Sequence, residues 1–359
     1  MENVKVTVYL STFNQEKYIR EALDSILMQK TNFNYELLVA DDCSTDNTQN
    51  IVLEYKEKYP DIIKTYFTPV NVGGCQKLVN CIDNGYFTGE YIAFLEGDDY
   101  WLNENRLQIL VDFLDKNPKY SRVSHKRLVI DENGNEKGFD ISDNVLNKEF
   151  YIEDFLDGKA YSDFGSVFRN YFKECTSKYN ELLLASRNVC DFQDMFITQD
   201  FGPVFVLDEC FGVYRSVTSA GASNYNSITT QSFRSKENIR LAKAVESFYN
   251  GKYDMSYMIK TAQKRLILSA VQAKDNKAFK EAANAADYCF ESVGEVLYLS
   301  LRGKRNDEVD FIKSQFSKNE FSEIKKYLFK YASHRVIWKI SGKRQNESAR
   351  GTVIKDKQV

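Results

Sequence analysis

The chain has 359 residues, a formal net charge of −3 and 14% aromatic content, with 23 Tyr, 25 Phe and only 4 Pro. That length supports a large core and more than one domain, the near-neutral charge argues against a nucleic-acid binder, and the aromatic richness excludes a disordered chain. Seven Cys without a CxxC pair and two His (His125 and His334) leave no material for a zinc site, a disulfide framework or a His-based triad, and fit reduced thiols in a cytoplasmic protein. No N-terminal signal is expected, because the apolar stretch at 4–10 is short and runs into a polar loop, and no apolar run reaches membrane-spanning length.

Residues 4–11 alternate as a strand does and lead through the loop SerThrPheAsn at 11–14 into an amphipathic helix. Asn14 is its expected start, with Tyr18, Ala22, Ile26 and Leu27 on the apolar stripe. A second strand, YELLVA, ends at Asp41 and Asp42, and Ser44, Thr45 and Asp46 offer N-caps for a helix running to Tyr55. A strand at 62–67, the loop NVGG and a helix at 76–84 follow. Then comes YIAFLEGDDYW, where a strand of buried type stops at Glu96, Asp98 and Asp99 and Gly97 permits a tight turn. Strand–helix alternation at this spacing predicts parallel strands with right-handed crossovers, an α/β sandwich built like a nucleotide-binding fold.

Further on, the pattern predicts a helix at 104–114, a hairpin from the strand at 122–130 through DENGN, and a short amphipathic helix that starts at Asp191. VFVLDECFGVYR reads as two short strands or one bent strand, and SVTSAGASNYNS as a loop able to close over a site. From Gln231 the spacing is helical throughout. The last helix, EIKKYLFKYASHRVIWKI, is basic and amphipathic, and either packs with a solvated basic face or lies on an anionic membrane surface. The expected domains are residues 1–225, a helical region at 226–345 that offers a surface for a homo-oligomer, and a tail at 346–359.

Asp41–Asp42, Asp98–Asp99 and the loop at 11–14 all fall at strand ends, and on one edge of a sheet they form a single pocket. Paired carboxylates repel unless a cation intervenes, and carboxylate oxygens suit magnesium or manganese held together with substrate phosphates. Neither GxGxxG nor GxxxxGK[ST] is present, which excludes dinucleotide and P-loop sites and leaves phosphate charge to the metal, Lys77 or Arg106. Each residue has a duller reading: a solvated acidic turn at 98–99, a core ring at Phe13, a turn residue at Asp42, a helix cap at Asp191, packing at Tyr100 and Trp101, and a solvated helix position at Lys77. Arg215 meets either phosphate or a carboxylate.

VTVYLSTFNQEKYIREALDSILMQ, ELLVADDCSTDNT, NVGG, GEYIAFLEGDDYWLNENRL and CDFQDMFITQDFGPVFVLDECFGVYR occur in an order that resembles the inverting glycosyltransferases of family two, over about residues 4–216. The resemblance implies a GT-A fold, an α/β/α sandwich with a mixed central sheet followed here by the helical C-terminal region. It also implies a nucleotide-sugar donor, most often a UDP-sugar, with Mn2+ or Mg2+ and a glycan or lipid-linked acceptor, as in bacterial surface polysaccharide synthesis at the inner face of the membrane. On that resemblance Thr12, Phe13 and Asn14 lie by the base, Asp42 accepts its ring N–H with Asp41 beside it, and Asp98 and Asp99 hold ribose and metal. Glu96 stands where the family's first Asp is usual. Asp191 matches the catalytic base, with Cys190 in place of the usual Glu before it and Asp194 as the alternative base. The competing readings are a catalytically degenerate scaffold and a sugar-nucleotide pyrophosphorylase, although STFNQEKY lacks the glycine-rich loop of the latter.

Overall fold

In a computed structural model the described residues are 4–141, 143–156, 166–173, 179–188, 190–217, 229–284 and 289–328. The chain divides into two compact units, residues 1–228 and 229–359. The boundary expected at 225, most of the SVTSAGASNYNS loop and the tail lie outside the described residues.

In the first unit β1 (Val6–Thr12), β2 (Tyr35–Asp41), β3 (Ile63–Phe67) and β4 (Tyr91–Glu96) run parallel in the order β3-β2-β1-β4. The helices α1 (Ile19–Leu27), α2 (Thr48–Lys58) and α3 (Gly74–Asp83) are their crossovers. The chain steps outward from β1 to β3 and then returns to the other side of β1, so the strand order reverses there. In open α/β sheets such a reversal opens a crevice at the carboxyl ends of the strands.

Beyond β4 the sheet becomes mixed. β9 (Val167–Arg169) is antiparallel between β4 and β6 (Arg122–Asp131), β10 (Val204–Ser216) is parallel to β6, and β5 (Tyr100–Trp101) is antiparallel to β10. The expected hairpin is β6 with β7 (Glu136–Phe139). Of the two readings of VFVLDECFGVYR, the bent single strand holds: β10 shifts register between Leu207 and Cys210 and again before Gly212, which kinks it as a bulge does.

The residues of β1 explain its place at the centre. Val6, Val8 and Leu10 pack with Ile19, Leu23 and Ile26 of α1 and with Leu107, Leu110 and Leu114 of α4 (Arg106–Lys116). Burying each such side chain is worth about 1.5–3 kcal/mol. On the other face Tyr9 meets Phe87 and Phe94, with ring centroids 5.4 and 5.2 Å apart.

Asn14 does not start α1, which begins at Ile19. It sits in the left-handed region with φ 52°, and its Oδ1 accepts from Thr45 N at 2.7 Å. Asn tolerates that conformation because its short side chain bonds locally, so here it ties two loops together.

The second unit is helical: Gln231–Phe248, Ser256–Ala273, Asn276–Asn284, Cys289–Arg302, Asn306–Ser314 and residues 318–328. Leu266, Ile267, Val271, Phe279, Val296, Ile312 and Ile324 form its core. No helix among the described residues is long and apolar enough to cross a membrane. The expected basic helix at 323–340 is described only to 328.

Candidate active site

Register places the strand ends side by side, with Thr12 opposite Asp41 and Ser11 opposite Glu96. Asp41 is fully buried and committed to the turn after β2. Its Oδ1 accepts from Ser44 N at 2.8 Å and Gln49 Nε2 at 2.6 Å, and its Oδ2 accepts from the Ser44 hydroxyl. These three bonds hold Asp41 in the turn after β2.

Asp42 accepts from Val72 N and Gly73 N, each at 2.8 Å, and from Thr68 Oγ1 at 3.1 Å. A carboxylate offers about four lone-pair sites, which leaves room for one more donor. Thr12 is buried and donates to Gln15 Oε1 at 2.9 Å, while Phe13 is half-buried.

Lys77 overturns both readings made of it. It is 1% exposed, and its Nζ donates to Thr12 O at 3.1 Å and Ala40 O at 2.9 Å. Burial holds its pKa down, opposed by Asp42, Asp41 and Glu96. It braces the ends of β1 and β2 from below and neither meets solvent nor extends to a phosphate. Arg106 is likewise enclosed, with its guanidinium 4.1 Å from the centre of the Trp101 ring and Nε donating to His125 Nε2 at 3.0 Å. Trp101 is therefore packing.

His125 is buried, and burial together with the Arg106 charge keeps its pKa well below the usual value. An unfolded His takes up a proton below about pH 6.5 that the folded one refuses, so this contribution is intact above that pH and lost as pH falls through it, at about 1.4 kcal/mol per pH unit. Carboxyls with raised pKa act in the opposite sense over an overlapping range, so the test is a difference. Urea unfolding between pH 7.5 and 5.5 should show His125→Gln losing less stability on acidification than wild type. Equal losses would show that His125 does not titrate differently on unfolding.

At the acidic turn a Cβ on Gly97 would meet the end of the Gln15 side chain and come within 2.9 Å of Thr12 Oγ1, so those side chains would have to shift to admit any other residue. Asp98 is 6% exposed, and its Oδ1 is a buried oxygen without a hydrogen-bond partner. Burial, and then repulsion from Glu96, push its pKa up to about 7. Glu96 is open to solvent yet ringed by protein atoms, as befits a cleft wall, and burial raises its pKa against the pull of Arg127 and Lys77.

Asp99 points inward. Its Oδ1 accepts from Arg215 N at 2.8 Å and its Oδ2 lies 3.3 Å from Arg127 Nη1. The two acids expected to share a metal thus divide their roles: Asp99 anchors the turn, and Asp98 carries the unsatisfied oxygen. Arg215 chooses the carboxylate, donating to Glu21 Oε2 at 2.6 Å and to the Asp98 carbonyl at 3.0 Å. Beyond it opens a polar cleft of about 430 Å³ lined by Lys17, Tyr18, Glu21 and Tyr100. Gln15 and Arg127 were not anticipated; the only hint for Arg127 was a charge within the strand RVSHKRLVI.

No three His, Cys, Asp or Glu converge on a metal position among the described residues. Magnesium-type ions are commonly held by one or two carboxylates and completed by substrate phosphates and water. An unpartnered Asp98 oxygen beside Glu96 fits that coordination.

The helix α7 (Asp191–Gln199) carries both candidate bases. Asp194 is 1% exposed, ion-paired with Arg122 and bonded by the Tyr171 hydroxyl, while Arg122 Nη2 also reaches Thr198 Oγ1 at 2.5 Å. That network ties Asp194 into the packing of α7 against β6. Asp191, in the first turn of α7, is half-buried. The chain just before it lies against the NVGG loop, since Cys75 N donates to Arg187 O at 3.0 Å.

Residues 7–178 match the family model of glycosyl transferase family 2. The match includes every strand-end carboxylate of the site and stops short of Asp191 and Arg215. The putative glycosyltransferase EpsE of Bacillus subtilis is 38% identical over 130 residues, 36% of this chain and 45% of EpsE. The poly(ribitol-phosphate) beta-N-acetylglucosaminyltransferase TarS of Staphylococcus aureus is 38% identical over 116 residues, 32% of this chain and 19% of TarS. An uncharacterized protein of Mycobacterium tuberculosis is 39% identical over 123 residues, 34% of this chain and 35% of that protein. The chain thus spans less than half the length of these curated relatives. The crystal structure of S. aureus TarS 1–349 in complex with UDP-GlcNAc is similar in fold, with a TM-score of 0.55 at 18% identity, covering 87% of this chain and 90% of that one. The mixed sheet and its helices are a GT-A-type α/β fold.

Proposed function

We propose that this protein transfers a sugar, with inversion, from a UDP-sugar to a hydroxyl of a glycan or lipid-linked acceptor. The observation that carries the reading is the convergence of Thr12, Asp42, Glu96 and Asp98 on one strand-end crevice, with Asp98 Oδ1 unpartnered. Support for the donor and for a hydroxyl-rich acceptor comes from TarS, whose name specifies N-acetylglucosamine transfer to poly(ribitol-phosphate).

In this reading the remaining acceptor site of Asp42 takes the ring N–H of the base and Phe13 packs against its face. Asp98, with Glu96 beside it, holds Mn2+ or Mg2+, which supplies Lewis-acid neutralisation of charge on the departing diphosphate. Asp99, Arg127 and Arg215 fix the turn that aims Asp98. Asp191 takes the proton of the acceptor hydroxyl as it attacks the anomeric carbon opposite the leaving group. A single in-line displacement inverts that carbon. Assembly of a surface polysaccharide at the inner face of the bacterial membrane, and a homo-oligomer built on the second unit, belong to the same proposal.

The test is thermal unfolding with a panel of nucleotide sugars, with and without Mn2+. A ligand specific for the native state at 100 times its Kd stabilises by about 2.7 kcal/mol. Wild type should show a Mn2+-dependent shift with a UDP-sugar, and Asp98→Ala should lose the Mn2+-dependent part. No shift with any nucleotide sugar would sink the donor site, and an undiminished shift in Asp98→Ala would remove the metal from Asp98.

A further inference from the structure

Asp42 does more than face the crevice. Its carboxylate holds the backbone of Val72 and Gly73, and Asn71 Nδ2 donates back to the Asp42 carbonyl at 3.2 Å. The loop held in this way bears directly on the segment before α7. Arg187 Nη2 donates to Asn71 O at 3.0 Å and to Asn71 Oδ1 at 2.8 Å, and Cys75 N closes the contact from the other side on Arg187 O at 3.0 Å.

The fit is close enough to dictate residue types. Gly73 has φ 92°, and any Cβ there would collide with Arg187 Cγ and the Arg187 carbonyl. A Cβ on Gly74 would lie 3.2 Å from the Asn188 carbonyl. Four residues beyond Arg187 stands Asp191. The donor-side acid and the proton-accepting acid are therefore joined by one short strut that runs from Asp42 through loop 71–74 to Arg187 and Asn188.

We propose that Arg187, with Asn71 and Gly73, is a positioning element that sets Asp191 relative to the bound donor without touching substrate. The inference rests on the reading of Asp191 as the base. Displacing a catalytic group by about 1 Å costs on the order of 100-fold in rate, so loss of the strut appears in turnover and not in donor affinity.

Arg187 is exposed, so Arg187→Ala should keep the fold. The readout is UDP release, with water as acceptor, from the UDP-sugar that gives the largest Mn2+-dependent thermal shift, alongside UDP affinity by calorimetry. Arg187→Ala should lower kcat roughly 10- to 100-fold with the UDP Kd within about twofold of wild type. Arg187→Lys, which keeps one donor for Asn71 O, should recover part of the loss. Asn71→Ala removes the Oδ1 acceptor but leaves the backbone carbonyl to Arg187, so it should give a smaller loss than Arg187→Ala, and the double variant should be little worse than Arg187→Ala, in which the bond between the two side chains is already gone.

An unchanged kcat in Arg187→Ala overturns the inference. A parallel loss of UDP affinity also overturns it, in favour of direct donor contact. If Asp191→Asn turns over like wild type, the base reading itself fails; if Asp191→Asn is inactive while Arg187→Ala is normal, only the strut fails.

Discussion

Asp191→Asn is expected to cut turnover by about 100- to 10,000-fold, the usual contribution of a positioned general base, while UDP affinity stays near the wild-type value. The amide keeps the size and hydrogen-bonding reach of the carboxylate but cannot accept the hydroxyl proton. The proposed donor side draws on β1, β2, loop 71–74 and the acidic turn, so it keeps its partners in this variant. Steady-state kinetics with UDP calorimetry on the same preparation separates the two effects. Turnover within threefold of wild type would return Asp191 to the role of a residue that merely opens a helix.

Asp194→Asn is expected to fail differently. Its carboxylate is buried against Arg122, which is itself 1% exposed. Removing one partner of such a pair leaves an uncompensated buried charge and costs about 3–5 kcal/mol. For a domain of this size that is a drop of roughly 10 °C in the melting transition. The residual activity of the folded fraction at low temperature should approach that of wild type. A variant that melts normally but does not turn over would reverse the two assignments. Two acids three residues apart on one helix are thereby separated by opposite signatures, one kinetic and one thermodynamic.

The distinction shows what kind of information the chain carries locally. The carboxylates at Asp41–Asp42 and Asp98–Asp99 were legible as strand ends because short continuous apolar runs stop there abruptly, and alternating helices dictate a parallel sheet with all those ends on one edge. What each carboxylate does at that edge was not legible. Asp41 and Asp99 look like their neighbours in sequence, yet Asp41 closes its own turn and Asp99 answers Arg127 and Arg215, which lie 28 and 116 residues away. Lys77 reads as a solvated helix residue because its partners, the carbonyls of Thr12 and Ala40, become visible only when β1 and β2 are laid side by side above α3.

The sequence by itself determined the strand–helix alternation, the edge of the sheet where the carboxylates gather, the chemical character of that edge and the change to helices in the described residues of the second unit, because these follow from hydrophobic period and from turn chemistry within a few residues. Only the tertiary structure decided that Asp98 carries the unpartnered oxygen while Asp99 anchors the turn, that Asp194 is held in a buried ion pair with Arg122, and that Arg187 bears on loop 71–74. Each of those choices depends on a buried charge or hydrogen bond finding its partner across a long stretch of chain, and the cost of leaving such groups unpaired is settled by three-dimensional neighbours that no local pattern names.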